Sequence, residues 1–397
     1  MIKKNTCHCC LSKNNKKLLI IKNFPTQTVN NSPQRNLIGL KKKINLVLYL
    51  CLNCKNIFYS HKFTYSNLYN NFNSRPFNYK NIEQYKFYFN KLKKLANLSS
   101  TDLIYDIGKN NYNLKKILLV GNKIAYFDPR KKNFNSNLSF ASTKKKNNKT
   151  VIKPKIINSY NFIGNILNID NFFFNIKKIL HQKGVIGLYF HYGPSIIKKF
   201  SLDKIYLEHV NYLSITGLNI LLERYNFKII DLAFYEDDNY CHVLIKHSNE
   251  KILENKQNIK EIIKVEKNIT INVVKKFKKK LFFHKKKVNH FLKKIHRSKQ
   301  EIIGYGASIS SFPIILIFNL TRYLNYIYDD FPLSKFIYLN NKLIKINKFK
   351  KKFYKNKINF IILAPRYLEV LKYKILNNLK NDRVVSILPT LKIYSKT

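Results

Sequence analysis

Tryptophan is absent from the 397 residues, methionine occurs once, and glycine and proline stand at 10 each. Of the 74 basic residues only eight are arginine, and 21 acidic residues leave a formal charge of +53. Recognition of base edges and phosphates favours the forked guanidinium, so this scarcity argues against a sequence-specific nucleic-acid binder. Lysine is spread over nearly every segment and rises together with Asn, Ile, Tyr and Phe, residues that share A/T-rich codons. Compositional drift is the favoured source of the charge, and a selected polyanion-binding surface is the other. Nucleic acid is expected to bind only non-specifically, through net charge. No run approaches the roughly 18 apolar residues a membrane span requires, and Phe312 to Phe318 is of strand length. No membrane partner is expected. The opening Met1-Ile2-Lys3-Lys4-Asn5-Thr6 leads directly into cysteines, so no secretory signal and a cytoplasmic, reducing setting are expected. The six cysteines then read as metal ligands or buried thiols.

What is present is core material. Hydrophobic residues make up 45% of the chain, with 29 Phe and 27 Tyr, enough for two or three packed domains. Leu18 to Ile21 and Ile44 to Leu50 read as strands inside a cysteine-bearing module over residues 1–62. From 63 to 100 the pattern turns helical, with Tyr85, Phe89, Leu92 and Leu95 at three- and four-residue spacing. Strand-like runs follow at 103–107, 117–120, 124–127, 156–162, 185–190 and 227–230, which argues α/β with a largely parallel sheet up to 250. The Lys/Asn stretch 131–150 reads as a solvated loop or degenerate helix. A lysine-rich helical connector spans 251–298, with Val274, Phe277, Leu281, Val288, Phe291 and Ile295 on one face. A second α/β unit covers 299–397, opening on Ile302-Ile303-Gly304-Tyr305-Gly306-Ala307 and running through Tyr326 to Asp330 and Phe360 to Ala364.

Three motifs carry chemistry. Cys7-x-x-Cys10 and Cys51-x-x-Cys54 can supply four thiolates to a closed, structural zinc site; Cys9 could substitute in register, and Cys241 reads as a buried thiol. Asp106-Ile107-Gly108-Lys109-Asn110-Asn111 follows a strand, and Asp128-Pro129 ends the next one. A glycine there lets the chain turn tightly beside an adenosyl ligand, and the second acid can accept from ribose hydroxyls. Tyr206-Leu207-Glu208-His209 sets a histidine beside a carboxylate, a pair suited to general base work.

In this order the three motifs resemble the S-adenosylmethionine-dependent sugar C-methyltransferases that act on nucleotide-linked keto-deoxysugars. The likeness extends to Asn23-Phe24-Pro25-Thr26-Gln27, Tyr160-Asn161-Phe162-Ile163, Gly304-Tyr305-Gly306-Ala307 and Asp329-Asp330-Phe331-Pro332. It implies an N-terminal zinc-binding module, a central Rossmann-like methyltransferase sheet and a C-terminal Rossmann-like domain. It implies S-adenosylmethionine held by Asp106, Gly108, Asn110, Asp128 and Asn161, and a structural Zn2+ on the four cysteines. It also implies methyl transfer to the carbon beside a ketone, with His209 as base, Glu208 orienting it and Tyr206 on the substrate or enolate oxygen. The oligomeric state is not readable from the sequence.

The chain departs from the family pattern in five places. Tyr112 stands where the cofactor loop has its second glycine, Asn165 and Leu207 stand for histidines, Asn239-Tyr240-Cys241 for Gly-Gly-Ser, and Pro365-Arg366 for Trp-Asn. These leave two other readings open: a decayed relative that acts as a scaffold, and a zinc-knuckle RNA-binding protein that stacks bases on aromatic rings.

Overall fold

The computed structural model describes residues 6–26, 37–38, 43–59, 82–108, 121–127, 153–235, 239–250, 256–332, 334–349, 357–378 and 382–395. The expected helix before residue 82, the strand at 117–120 and the stretch 131–150 lie outside them. So do Gln27, Asn110, Asn111, Tyr112, Asp128 and Pro129.

Leu18, Leu19 and Ile21, and Leu46, Leu48 and Leu50, turn inward along two long strands, β1 (Asn15–Pro25) and β3 (Lys43–Cys51), which pair antiparallel. The two-residue strand β2 (Leu37–Ile38) lies between them in sequence. β3 runs through the second cysteine knuckle into β4 (Ile57–Tyr59), its antiparallel neighbour. Helix α1 (Ile82–Ala96) buries Tyr85, Phe89 and Leu92, the residues that the helical spacing put on one face.

The central sheet is built from β5 (Leu103–Ile107), β6 (Lys123–Phe127), β7 (Ile156–Tyr160), β8 (Val185–His191), β10 (Phe227–Tyr235) and β11 (Tyr240–His247), in the order β10-β11-β8-β7-β5-β6. β8, β7, β5 and β6 are parallel, and β11 runs antiparallel to β8 and β10. Strands covered on both faces read as continuous apolar runs rather than alternations, and all seven residues of β8 are buried. The helices α2 (Ile169–Ile179), α3 (Ser195–Lys198) and α4 (Ile215–Glu223) belong to this unit. Asn168 caps α2 by accepting from Asn171 N at 3.0 Å, and Ser214 caps α4 by accepting from Gly217 N at 2.9 Å. The short strand β9 (Asn211–Tyr212) leaves the central unit and pairs with β4, giving the first sheet the order β1-β3-β4-β9. The cysteine module is thereby joined to the segment that carries His209.

Next come α5 (Lys256–Lys267) and α6 (Ile271–Arg297). The fully buried Glu266 carboxylate fixes α5 to the start of α4, accepting from Tyr192 Oη and Ile215 N at 2.8 Å each and from Thr216 N at 2.7 Å. α6 buries Val274, Phe277, Leu281, Val288, Leu292 and Ile295 and turns its lysines to water. The last sheet comprises β12 (Glu301–Tyr305), β13 (Tyr326–Asp329), β14 (Phe336–Leu339), β15 (Lys342–Lys348), β16 (Ile358–Ile362), β17 (Arg383–Ser386) and β18 (Lys392–Ser395). β17, β16, β12, β13 and β15 are parallel, and β2 from the N-terminal part extends the edge beyond β14. The architecture is α/β, with mixed sheets around parallel centres.

The strand length of Phe312 to Phe318 misleads. Ser311–Ile317 forms helix α7, with all seven residues buried. A helix buried all round has no polar stripe, so periodicity cannot separate it from a buried strand, and Pro313 sits in its first turn, where a missing N–H costs nothing. Helix α8 (Leu368–Asn378) closes the unit against β17. Among the described residues no helix is long and apolar enough to cross a membrane.

Candidate active site and metal centre

The four cysteines of the two knuckles gather as their spacing predicts. The Sγ atoms of Cys7, Cys10, Cys51 and Cys54 all lie within 4.8 Å of one another, with Cys7 to Cys54 and Cys10 to Cys51 at 3.4 Å. Four thiolates around one Zn2+ at about 2.3 Å stand roughly 3.8 Å apart, so the donor set fits that ion. Hydrogen bonds from Cys51, Cys54 and Cys7 pull the Cys10 thiol down while Cys10 holds the other three up. Like charges this close cannot all ionise without a cation between them. Leu11 and Lys55 turn the knuckles at φ +60° and +65°. Cys9 is buried outside the cluster, its carbonyl accepting from Arg224 Nη2 at 2.6 Å, and Cys241 is a fully buried thiol, as expected.

The knuckle at Cys7 reaches the segment that carries the catalytic candidates. His8 Nδ1 lies 2.7 Å from Asn211 Oδ1, and Asn211 Nδ2 donates to Ile166 O at 3.0 Å. β9 is therefore held on one side by the cysteine module and on the other by the turn after β7.

Asp106, Gly108 and Asn161 stand at the carboxyl ends of β5 and β7, the edge where parallel sheets bind ligands. Gly108 adopts φ +104°, and a Cβ built there would lie 2.6 Å from Phe162 Cγ. Only glycine fits this turn. Asp106 is buried and accepts from Asn158 Nδ2 at 2.7 Å. Burial nevertheless pushes its carboxyl up to about 7. Asn161 also turns at positive φ, and its N–H donates to Tyr189 O at 2.7 Å.

From Phe162 the chain makes a 3-10 turn over Ile163–Asn165. Gly164 in that turn faces His209: a Cβ there would lie 3.9 Å from His209 Cγ and 2.8 Å from Asn211 O. The cofactor-loop candidates and the base candidate are thus linked through one short segment. Asn165 is buried in it, in the place of the histidine usual there.

Tyr206, Glu208 and His209 are all buried. The Tyr206 backbone is held by two tyrosines: its N–H donates to Tyr212 Oη at 2.8 Å, and its carbonyl accepts from Tyr59 Oη. Burial raises both phenols and the Glu208 charge adds to each; their mutual contact raises Tyr59 further but lowers Tyr212. Leu207 points into the hydrophobic core. Burial drives the His209 imidazole down to about 3, so it stands neutral.

Two residues outside the sequence-predicted site complete the cluster. His191, at the carboxyl end of β8, packs its ring 4.8 Å from His209 and 5.6 Å from Tyr206, and burial holds it well below the ordinary range. A titratable residue ending a buried parallel strand was the available signal. Arg366, from the turn Pro365–Tyr367 after β16, donates Nη2 to Tyr206 Oη at 3.1 Å. Tyr240, in the place of a family glycine, stacks on Tyr189 at 5.0 Å and lies 4.2 Å from His191.

Residues 241–382 match the family described as the C-methyltransferase C-terminal domain. The match supports a methyltransferase enzyme, and Arg366 lies inside it. Curated protein sequences give no match. Among solved structures, an S-adenosylmethionine-dependent methyltransferase from Clostridium acetobutylicum is 10% identical over 42% of this chain and 92% of its own, with a TM-score of 0.30. The CMeT domain of the citrinin polyketide synthase is 17% identical over 43% and 52%, at 0.30. A SAM-dependent methyltransferase from Aquifex aeolicus is 12% identical over 43% and 98%, at 0.26. At these scores none of the three carries an argument about this chain.

Proposed function

We propose that the chain is an S-adenosylmethionine-dependent C-methyltransferase that methylates the carbon beside the ketone of a nucleotide-linked keto-deoxysugar. The observation that carries the reading is the approach of Gly164 to His209, which joins the Asp106–Gly108 and Asn161 edge to a buried neutral imidazole. Asp106, Gly108 and Asn161 would hold the donor, which supplies an electrophilic methyl on a sulfonium sulfur. The ketone acidifies the neighbouring C–H. His209 would take that proton, and the electron pair left on carbon would form the new C–C bond as the methyl–sulfur bond of the donor breaks. Glu208 favours the imidazolium by its charge, and Tyr206 Oη donates to the oxygen on which negative charge develops. The four cysteines would hold a structural Zn2+, with no coordination place for water.

The deciding measurement is calorimetric titration with S-adenosylhomocysteine, followed by transfer of labelled methyl to a thymidine-diphosphate-linked 4-keto-6-deoxyhexose. Saturable binding and label in the sugar are expected. No binding at millimolar ligand returns the scaffold reading.

A further inference from the structure

Tyr206 Oη receives a hydrogen bond from Arg366, and among the described residues no acceptor faces its own hydrogen. A phenol has one O–H to give and lone pairs to receive. With the guanidinium on a lone pair, the hydroxyl hydrogen is left to point elsewhere. Tyr206 is also rigid: Tyr59 and Tyr212 fix its backbone, and its ring meets His209 edge-on at 4.9 Å. The guanidinium comes from the other sheet, on a turn directly after buried β16, so Tyr206 is gripped from both units.

We infer that Arg366 is a positioning residue for methyl transfer, holding the Tyr206 hydroxyl as a donor toward the enolate oxygen and adding positive charge behind it. The assignment rests on the proposed C-methyl transfer and concerns the residue that stands here in place of the family's Asn. Lys204, paired with Asp203 at 3.6 Å and 5.3 Å from the Tyr240 ring, adds its charge to the same surroundings, but the hydrogen bond to the Tyr206 hydroxyl comes from Arg366. An acceptor bond from a charged donor strengthens the phenol as a donor in turn.

The test compares the parent, Arg366→Met, Arg366→Lys, Tyr206→Phe and the Arg366→Met/Tyr206→Phe double variant in the full-length protein, using the sugar nucleotide above. Removal of a donor to a developing oxyanion costs about 10² to 10³ in kcat, and Tyr206→Phe should fall in that range. Arg366→Met should lose about 10-fold to 10²-fold in kcat, with KM and S-adenosylhomocysteine affinity within about threefold. Arg366→Lys should recover part of the loss, and the double variant should be no slower than Tyr206→Phe alone. A merely structural role would give additive losses and a fallen melting temperature. Parental kcat in Arg366→Met, or additive losses in the double variant, overturns the assignment while leaving the methyltransferase reading intact. A parent that transfers no methyl overturns that reading and this assignment together.

Discussion

Gly164 and His209 meet face to face: a Cβ on the glycine would stand 3.9 Å from the imidazole Cγ, and the same atom would lie 2.8 Å from the Asn211 carbonyl. The second distance is below any ordinary contact and involves backbone, so the neighbour cannot rotate away. Gly164→Ala should therefore push β9 outward and carry His209 with it. The expected result is a loss of about 1 to 3 kcal/mol in stability, together with at least a tenfold fall in methyl transfer, because a small displacement of a reacting group is costly. Denaturant unfolding and turnover on the same preparation check it. Unchanged turnover would place the reacting carbon away from this turn.

Asp106 gives a pH signature. Its carboxyl is raised to about 7 by burial, despite the hydrogen bond from Asn158. The folded protein therefore holds a proton that the unfolded chain has released between the ordinary carboxylate value and about 7. Stability from this group is fully present below the unfolded value near pH 4 and declines as pH rises toward 7, by a few kcal/mol at most. Asp106→Asn keeps an acceptor for Asn158 and removes the titration. Urea unfolding at pH 5 and pH 7.5 should show a smaller difference in the variant than in the parent, and equal differences would refute the burial of the carboxyl.

The cysteine cluster predicts a metal content. One zinc per chain is expected by elemental analysis, and Cys54→Ser should lose it. The Cys54 carbonyl accepts from Ser214, the cap of α4, so the damage should extend beyond the knuckles. Structural zinc binding is itself folding free energy. Chelation should lower the melting temperature of the parent and leave that of Cys54→Ser unchanged.

Much of this arrangement could be read from the residues. The two Cys-x-x-Cys pairs and the strand ending at Asp106-Ile107-Gly108 are local patterns with local geometry, and both fold as their spacing suggests. The apolar runs Leu18 to Ile21 and Ile44 to Leu50 marked β1 and β3, and the helical spacing of Tyr85, Phe89 and Leu92 marked α1. What escaped was non-local. β9 pairs with β4 across more than 150 positions, and no periodicity marks a two-residue strand. Arg366 looks like a turn residue until the last sheet brings it to Tyr206. His191 is hidden because a strand buried on both faces shows no alternation that would set its final residue apart. The helix Ser311–Ile317 is no more legible for the same reason: complete burial removes the polar positions from which period is inferred.

His209 yields the sharpest kinetic expectation. Desolvation lowers its imidazole from the usual 6.5 to about 3, so the neutral, proton-accepting form already prevails throughout the range in which the protein is folded. A base of ordinary pKa would give a rate that falls below pH 6.5, whereas this one should give kcat/KM flat from pH 8 down to about pH 5. Below that the fold itself fails, because an imidazole with a depressed folded pKa contributes stability present above 6.5 and lost as pH falls toward 3. His191, held low by burial and by His209 beside it, adds to the same loss. His209→Asn should cut turnover about 10² to 10⁴-fold at every pH while leaving S-adenosylhomocysteine affinity unchanged. An acid limb near 6.5 in the parent that disappears in His209→Asn would mean that substrate binding opens the cluster to water before the proton moves.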